Sequence, residues 1–542
     1  MSDRQLKIFP VFDERGRCLF FLKGVRALRM SILSSFAFVA VQMGGCGDLN
    51  ENKIQQESSE ILSAGGVLSN DPEAFGLTQA QCTTALVNTV TVSPRGQLYI
   101  DSEAVRNDIR ARNTLSSTTD VAGVWSFAFA MREILELPIP SSTTRLTQAQ
   151  IDAEHLSVES FIARFGSINV NGITSGARIE TQAKLRLHWG KRSGKLWWGG
   201  APFQLVAIVN RMDLVKFTAS GAVDGTTAGE GRLVYGFTGP GAMTTILEYN
   251  LPVGSAASPS NMTQGQWTNL WHALKGHLVD TNAARAGVQP IQELSSLPSF
   301  SNQANYLSAL QRVTDNFVLR RSQKQGTRTQ AAIAQIRTNE FLSGPWELRE
   351  IGRVRDAAGR AVLQSITVKN SLAPVQPSNV NVRSSPELGA WIDSNITCSD
   401  SRNISTCRFS APSRMMSDTI SQGASVFRVG GAAPADFRPW FQSNPNNIKR
   451  RFFALESCDG CHQSETGVFF THTDPRNGAP SAFLLQNIRV GGFFDQQADL
   501  SRRLSNFRNL VCLAATSTAL SLSAGGPVAP LDRRIDFSSS VH

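Results

Sequence analysis

The segment at residues 452–476, FFALESCDGCHQSETGVFFTHTDPR, restricts what this chain can form more than any other. Within it, Cys458, Cys461 and His462 have the C-x-x-C-H spacing of a covalent haem attachment site. Two thiols three positions apart can form thioethers with both vinyl groups on one haem edge, and the adjacent histidine then faces the iron. The pattern therefore predicts a haem c held by Cys458 and Cys461, with His462 as the proximal iron ligand.

Two other interpretations of this motif stay open. Cys458 and Cys461 are also spaced for a small disulfide or redox pair, as in other C-x-x-C motifs. Alternatively, both thiols together with His462 and His472 supply two sulfurs and two nitrogens, a donor set that suits zinc. Cys461 and His462 are adjacent, and neighbouring residues are awkward ligands for one tetrahedral shell. The motif therefore favours haem over zinc.

The sixth iron ligand follows less directly from the sequence. No methionine follows His462, so the usual downstream methionine of a cytochrome c is absent. His472 lies ten residues on, far enough for a loop to pass the haem edge and return to its other face. Bis-histidine ligation would lower the reduction potential relative to a His/Met site. We expect His472 as sixth ligand, with Met415 or Met416 as the second choice and an open position as the third.

The flanks of the motif have helical character. Residues 450–456 read as one helix, and apolar residues from Leu500 to Leu510 recur at helical spacing. A helix that carries the motif, followed by a closing helix, resembles a minimal cytochrome c domain, here residues 441–523 with a tail at 524–542. The resemblance implies a small, mostly helical segment that transfers electrons.

The N-terminus has the features of an export signal. Three basic residues, Lys23, Arg26 and Arg29, precede a short apolar run at residues 32–43. The sequence Met-Gly-Gly-Cys that ends at Cys46 resembles a bacterial lipobox, in which that cysteine becomes lipidated. Leucine is usual where this chain has methionine, so ordinary signal-peptidase cleavage stays open. We expect a signal peptide at 1–45, a flexible tether at 46–75, and a periplasmic or outer-membrane-anchored bacterial lipoprotein.

Export changes the expected state of the remaining cysteines, because thiols do not stay reduced in an oxidising compartment. Cys398 and Cys407 enclose a short polar loop and are expected to pair. Cys82 with Cys512 follows by elimination, although four cysteines allow three connectivities.

Composition and patterning predict an α+β fold. With 41% hydrophobic and 18% charged residues, the chain can bury a sizeable core. The net charge of +10 is modest for 542 residues and lacks a basic block, which argues against nucleic acid. Residues 76–440 read as a mixed α/β body, and 178–252 is its most β-rich part.

Charged residues embedded in apolar runs of the body form a second constellation. They pair internally or line an active or cation site. The candidates for catalysis are Glu230 and Glu340, and salt bridging between strands is the other interpretation. The members are Arg211, Asp213, Glu230, Arg232, Glu248, Arg337, Asn339, Glu340, Glu347 and Arg349. The runs AIVNRMDL, AGEGR and WELRE resemble segments of uncharacterised proteobacterial lipoproteins, a resemblance that implies no activity.

Three functions are compatible with these patterns. The first is electron transfer by a lipid-anchored haem c protein, with Lys449, Arg450 and Arg451 favouring an acidic redox partner. The second is a haem-dependent redox enzyme with its chemistry in residues 203–350. The third is a haem-free surface binding protein with structural disulfides.

Overall fold

The computed structural model contains two compact units, residues 1–67 and 68–542. In the first unit, β1 (Ile8–Phe12) and β2 (Cys18–Leu22) form an antiparallel hairpin. The structure describes residues 8–12, 18–22, 91–115, 120–140, 144–215, 227–254, 262–280, 290–325, 328–368, 386–409, 432–434, 447–455, 461–462, 466, 468, 471–490 and 494–517.

The second unit is organised around an eight-stranded antiparallel sheet. From one edge to the other its strands are Ala361–Ile366, Glu347–Arg355, Ile333–Phe341, Ala242–Pro252, Thr227–Phe237, Phe203–Arg211 and Tyr99–Ile100. A further short strand, Ala432–Pro434, pairs with Glu347–Arg355 beside Ala361–Ile366. Most of these strands are buried along nearly their whole length, so the sheet is covered on both faces. The strands are β3 (Tyr99–Ile100), β4 (Phe203–Arg211), β5 (Thr227–Phe237), β6 (Ala242–Pro252), β7 (Ile333–Phe341), β8 (Glu347–Arg355), β9 (Ala361–Ile366) and β10 (Ala432–Pro434).

The register gives the sheet two chemically different faces. Side chains alternate along a strand, and residues directly opposite one another in neighbouring strands share a face. The pairs Arg211↔Glu230, Arg232↔Glu248 and Arg337↔Glu350 therefore lie on one side, which we call the charged face. Residues of the opposite, aromatic face alternate with them.

The aromatic face forms the core of the unit. The ring of Phe127 lies 4.7 Å from that of Phe203 and 5.1 Å from that of Tyr235, measured between centroids. Further along the sheet, Phe317 packs against Tyr249 with a centroid separation of 5.3 Å. Such aromatic pairs add about 0.5–1.5 kcal/mol each beyond their buried area. This face is therefore the main apolar core, and the helices Phe127–Ile134 and Gln303–Val318 supply the aromatic rings that cover it.

The longer helices of the described residues, together with the short helix Ala482–Leu485, are numbered α1 to α10 in chain order. Two of them, α2 and α4, begin with a capping box in which threonine and glutamine satisfy each other's backbone amides. The helices are α1 (Phe127–Ile134), α2 (Gln148–Ala163), α3 (Ile179–His188), α4 (Gln264–Ala273), α5 (Pro290–Ser295), α6 (Gln303–Val318), α7 (Pro386–Asn395), α8 (Ile448–Leu455), α9 (Ala482–Leu485) and α10 (Asp499–Ser517).

Shorter elements connect these helices and strands. Single turns lie at Pro94–Leu98, Glu103–Arg106, Ile109–Ala111, Trp198–Gly200, Met212–Leu214, Leu274–His277 and Ile404–Thr406. Pairs of short antiparallel strands are formed by Asn113–Leu115 with Asp120–Ala122, Ile168–Val170 with Ile173–Ser175, Lys191–Arg192 with Lys195–Leu196, Leu278–Val279 with Ser299–Phe300, Gln323–Gln325 with Arg328–Gln330, Ile396–Cys398 with Cys407–Phe409, and Ile488–Val490 with Phe494–Gln496. The α+β class predicted from the sequence is confirmed.

The C-terminal segment packs against several parts of the body. The helix α8 contacts α7 and the hairpin closed by the Cys398–Cys407 disulfide, which confirms that predicted pairing. The helix α10 packs mainly against α4, and also against the turn at Met212–Leu214. The segment is thus part of the compact unit that contains the sheet. Within the described residues, no helix has both the length and the apolar character needed to cross a membrane.

Candidate functional site

A loop at residues 471–481 lies directly on strands β4 and β5. A Cβ atom at Gly236 would lie 1.6 Å from the carbonyl oxygen of Pro475, so only glycine permits this approach. The Tyr99 hydroxyl lies 2.9 Å from Thr473 Oγ1 and donates to the carbonyl oxygen of Gly478 at 2.8 Å. These contacts fix the loop, and with it the backbone of residue 472.

His472 is held by both of its ring nitrogens. Its Nε2 lies 3.2 Å from the sulfur of Cys461, and its Nδ1 lies 3.1 Å from the hydroxyl of Ser481. The backbone amide of Ser481 also donates to the carbonyl oxygen of His472 at 2.8 Å. The side chains of Cys461 and His472 are both buried. The loop therefore presents one oriented imidazole to one buried sulfur.

His462 occupies the space beside this pair. Its ring stacks on Trp346, with centroids 5.3 Å apart and planes 24° apart. Its centroid lies 4.7 Å from that of His472, and the two planes are tilted by 58°. His462 is 3% exposed. The structure thus brings together Cys461, His462 and His472, three of the four residues that the sequence singled out.

Several predicted site residues lie outside the described part of the chain. They include Cys458, the first thiol of the motif, as well as the proposed lipidation residue Cys46. The alternative iron ligands Met415 and Met416 and the proposed disulfide partner Cys82 also fall there. Their roles stay predictions.

A cavity with a volume of about 40 Å³ separates the two histidines from the charged face of the sheet. Its walls include Arg232, Asn339 and Thr244 from the strands, and Arg503 from α10. A cavity needs about 10–15 Å³ of such volume for one water molecule. The cavity is therefore large enough for a few small polar groups and much smaller than a haem.

Behind this cavity, α10 adds buried charges to the charged face. Arg211 Nε donates to Asp213 at 2.9 Å, while Asp499 pairs with Arg502 at 2.6 Å and with Arg503 at 2.5 Å. Burial alone would raise the pKa of Asp213, but the neighbouring arginines, Arg211 first, hold it below its ordinary value. Asp213 is therefore ionised at neutral pH, and together with Asp499 it lies among three buried arginines, Arg211, Arg502 and Arg503.

The described arrangement does not fit a haem ligated by both histidines. Iron between two imidazoles, with each nitrogen about 2 Å from the metal, separates the ring centroids by about 6 Å. The observed separation for His462 and His472 is 4.7 Å, and the rings are tilted rather than facing each other. In addition, His472 Nε2 is directed at Cys461. In this structure the two rings are therefore not placed on opposite sides of one metal ion, and the role of His472 as sixth iron ligand stays a prediction.

A bare metal ion agrees better with the Cys461–His472 pair. Tetrahedral zinc bonded to one sulfur and one nitrogen places those two atoms about 3.6 Å apart, given bond lengths of about 2.3 and 2.0 Å. The observed separation is 3.2 Å, and the Ser481 hydroxyl at Nδ1 fixes the orientation of the His472 ring. Among the residues that the structure describes, no three His, Cys, Asp or Glu side chains converge on one point. A complete site would need Cys458.

The two candidate catalytic carboxylates lie on opposite faces of the sheet. Glu230 is on the charged face and pairs with Arg232 at 2.6 Å. Glu340 is on the aromatic face, where it is fully buried, pairs with Arg178, and accepts from the Thr181 hydroxyl at 2.9 Å. They do not form one acid–base pair, and catalysis by either residue stays a prediction.

The other charged residues of the constellation also form ion pairs. Arg337 lies 2.8 Å from Glu350, and Glu248 lies within 3.3 Å of both Arg232 and Arg337. These contacts join neighbouring strands, as the salt-bridge interpretation of the sequence predicted. Such buried pairs specify an arrangement more than they add net stability.

One of the three basic residues expected to face an acidic partner is not available at the surface. Arg450 is 1% exposed, because its helix α8 is packed on that side. Lys449 Nζ donates to the carbonyl oxygen of Asp393 at 2.8 Å. The basic patch at residues 449–451 is therefore smaller than the sequence indicated.

Sequence reasoning missed the residues that complete the surroundings of the histidines. Trp346 directly precedes β8, Ser481 ends the 471–481 loop, and Arg503 lies in α10, so no local sequence pattern links all three. The one signal for Arg503 is the paired arginines in an amphipathic helix, which usually indicates a solvated face. The chain matches no protein family model, and neither curated proteins nor solved structures gave a match.

Proposed function

We propose that this chain is an exported metalloprotein that binds one transition-metal ion, of the zinc class, at its C-terminal segment. Cys458, Cys461 and His472 are the proposed ligands, and His462 lies beside them. The observation that carries the proposal is the 3.2 Å contact between Cys461 Sγ and His472 Nε2. Two cysteines and one histidine form a known zinc ligand set that leaves the fourth position open.

The surroundings support a metal better than a reactive thiol. Cys461 is fully buried, whereas nucleophilic cysteines are partly exposed. The Ser481 hydroxyl at His472 Nδ1 would hold the ring orientation and the tautomer that frees Nε2 for a metal. A bound cation would also keep Cys461 as a thiolate.

Electron transfer by a covalent haem c is the second candidate function. The complete C-x-x-C-H spacing at Cys458, Cys461 and His462 favours it. In that case His472 would not be the sixth ligand without moving away from Cys461, and the 471–481 loop would have to shift to make room for the macrocycle. A redox partner protein, rather than a small substrate, would then be the partner.

Metal content and haem content distinguish the two candidates. The protein is produced in a host competent for haem c attachment, and its zinc, iron and pyridine haemochrome absorbance are measured. We expect about one zinc per chain and no haemochrome, with the metal lost in Cys461→Ser and His472→Ala. His188→Ala is the matched control, because His188 is an exposed histidine away from the site.

Either of two results would overturn the metal proposal. A haemochrome signal of one haem per chain would establish the second candidate. The absence of both metal and haem from the wild type would remove both, and would leave a binding protein with structural disulfides. Export and lipidation at Cys46 belong to the proposal in either case.

A further inference from the structure

The cavity beside the histidines has a cationic wall that the proposed metal ligands do not use. Arg232 and Arg503 both line it, and each is 3% exposed. None of the described residues that line the cavity is acidic. Two buried guanidinium groups on one small cavity suit an anion, since arginine binds carboxylates through paired N–H donors.

Each of these arginines also pairs with a carboxylate that does not line the cavity. Arg232 pairs with Glu230 at 2.6 Å and with Glu248 at 3.1 Å. Arg503 pairs with Asp499, a carboxylate that also pairs with Arg502. Burial, and secondarily the charge of Arg211, lowers the pKa of Arg503 to about 10. The surroundings therefore disfavour the charged form of this guanidinium, and a bound anion would favour it.

Two polar atoms of the cavity-lining residues Arg503 and Asn339 make no hydrogen bond to any residue that the structure describes. They are Nε of Arg503 and Oδ1 of Asn339, both buried. The Asn339 amide nitrogen lies 3.4 Å from Thr244 Oγ1, and rotating the amide by half a turn would direct its NH₂ group to the open side. A buried polar atom without a partner costs about 1–3 kcal/mol. A bound acceptor would remove that cost at both residues.

The size of the cavity limits what can bind. About 40 Å³ accommodates roughly three water-sized groups. A carboxylate with its first carbon has that size, whereas a nucleotide or a whole haem does not. The ligand is therefore a carboxylate group, either of a small molecule or at the end of a larger one that enters by this group alone.

We propose that this cavity binds one carboxylate group through Arg232 and Arg503, with Asn339 as a further donor. The inference goes beyond metal binding and does not depend on it. The carboxylate has two sources, a free small carboxylate or a propionate of a covalently attached haem. Both share the chemistry that the arginines recognise.

Acetate is the probe for the wild-type chain produced without haem c attachment. Isothermal titration calorimetry and the melting temperature are measured against sodium acetate, with sodium chloride at equal ionic strength as the control. We expect saturable binding and a concentration-dependent rise in melting temperature for acetate alone. No saturable heat and no rise beyond that of chloride would overturn the proposal.

Matched variants test whether the arginine wall is the site. Arg503→Gln and Arg502→Gln both remove one partner of Asp499, but of the two only Arg503 lines the cavity. We expect acetate affinity to fall about tenfold or more in Arg503→Gln and to change less than about twofold in Arg502→Gln. Equal losses in both variants would contradict the assignment.

A second variant covers the case in which Arg503→Gln does not fold. Asn339→Asp keeps the side-chain size and adds a negative charge to the cavity, so acetate binding should be abolished while the metal content stays unchanged. Retained binding would overturn the site. If protein with covalently attached haem forms, the same acetate titration distinguishes the two sources of the carboxylate. Loss of acetate binding in the haem-containing protein identifies a haem propionate as the occupant. Retained acetate binding identifies a free small carboxylate.

Discussion

His272 shows how burial of one residue makes the stability of the whole unit depend on pH. The ring is 6% exposed, and its Nε2 lies 3.4 Å from the carbonyl oxygen of Thr91. Burial lowers the pKa of His272 to about 4, against 6.5 in an unfolded chain. The folded state therefore keeps the neutral ring, and stability that is complete above pH 6.5 is lost as the pH falls toward 4.

His272→Gln removes this titration while keeping a donor for the Thr91 carbonyl. We expect the free energy of unfolding of the wild type to fall by about 2 kcal/mol more than that of the variant between pH 7 and pH 4.5. Urea unfolding at both pH values measures the difference. Parallel pH dependences of the two proteins would show that His272 titrates normally.

At the scale of residues, the local sequence indicated which side chains belong to one site but not how they contact one another. The C-x-x-C-H spacing singled out Cys461 and His462, and the ten-residue separation added His472; the structure brings these three together. The sequence did not predict that His472 lies against the sulfur of Cys461 rather than opposite His462. That depends on the docking of a loop on strands more than 200 residues away, which spacing does not report.

At the scale of elements, strand β5 and the 471–481 loop depend on each other through Gly236. A Cβ at this position would overlap the Pro475 carbonyl oxygen. Gly236→Ala should therefore displace the loop and His472, with a cost of about 1–3 kcal/mol in stability and about tenfold or more in metal affinity. Gly276→Ala is the control, because a Cβ there meets no atom within 4 Å.

Hydrogen exchange gives a readout of this displacement that does not require a metal. The Ser481 amide donates to His472, and the Gly478 amide donates to Asp474, both at 2.8 Å. Both amides should exchange faster in Gly236→Ala and at the wild-type rate in Gly276→Ala. Unchanged protection in Gly236→Ala would mean that the loop tolerates the added methyl group.

The strands themselves were predictable, and their covering was not. Residues 178–252, the most β-rich part of the sequence, contain β4, β5 and β6. Alternation also places Arg232 and Glu248 on one face. Periodicity cannot say what covers that face, and here α10 and the 471–481 loop supply the cover.

At the scale of the molecule, the C-terminal segment closes the charged face of the sheet. The sequence predicted a separate cytochrome c-like segment because its helices and motif are contiguous. In the structure α10 packs on α4, and Arg502 of α10 lies 3.5 Å from Asp213 beyond the end of β4. The proposed metal site, the proposed carboxylate cavity and the ion-pair network all lie where this segment meets the sheet, so a ligand bound at the metal site or in the cavity should stabilise the whole unit.

The proposed attachment of this molecule to a membrane depends on Cys46, which lies outside the described part of the chain. A short apolar run between Lys23, Arg26, Arg29 and Cys46 is typical of a cleaved export signal, and small residues directly precede the cysteine. Cys46→Ser should move the protein from the membrane to the soluble fraction and abolish palmitate labelling. Cys82→Ser, which changes another N-terminal cysteine, should keep both. Membrane retention of a wild type that takes up no label would exclude the lipid anchor.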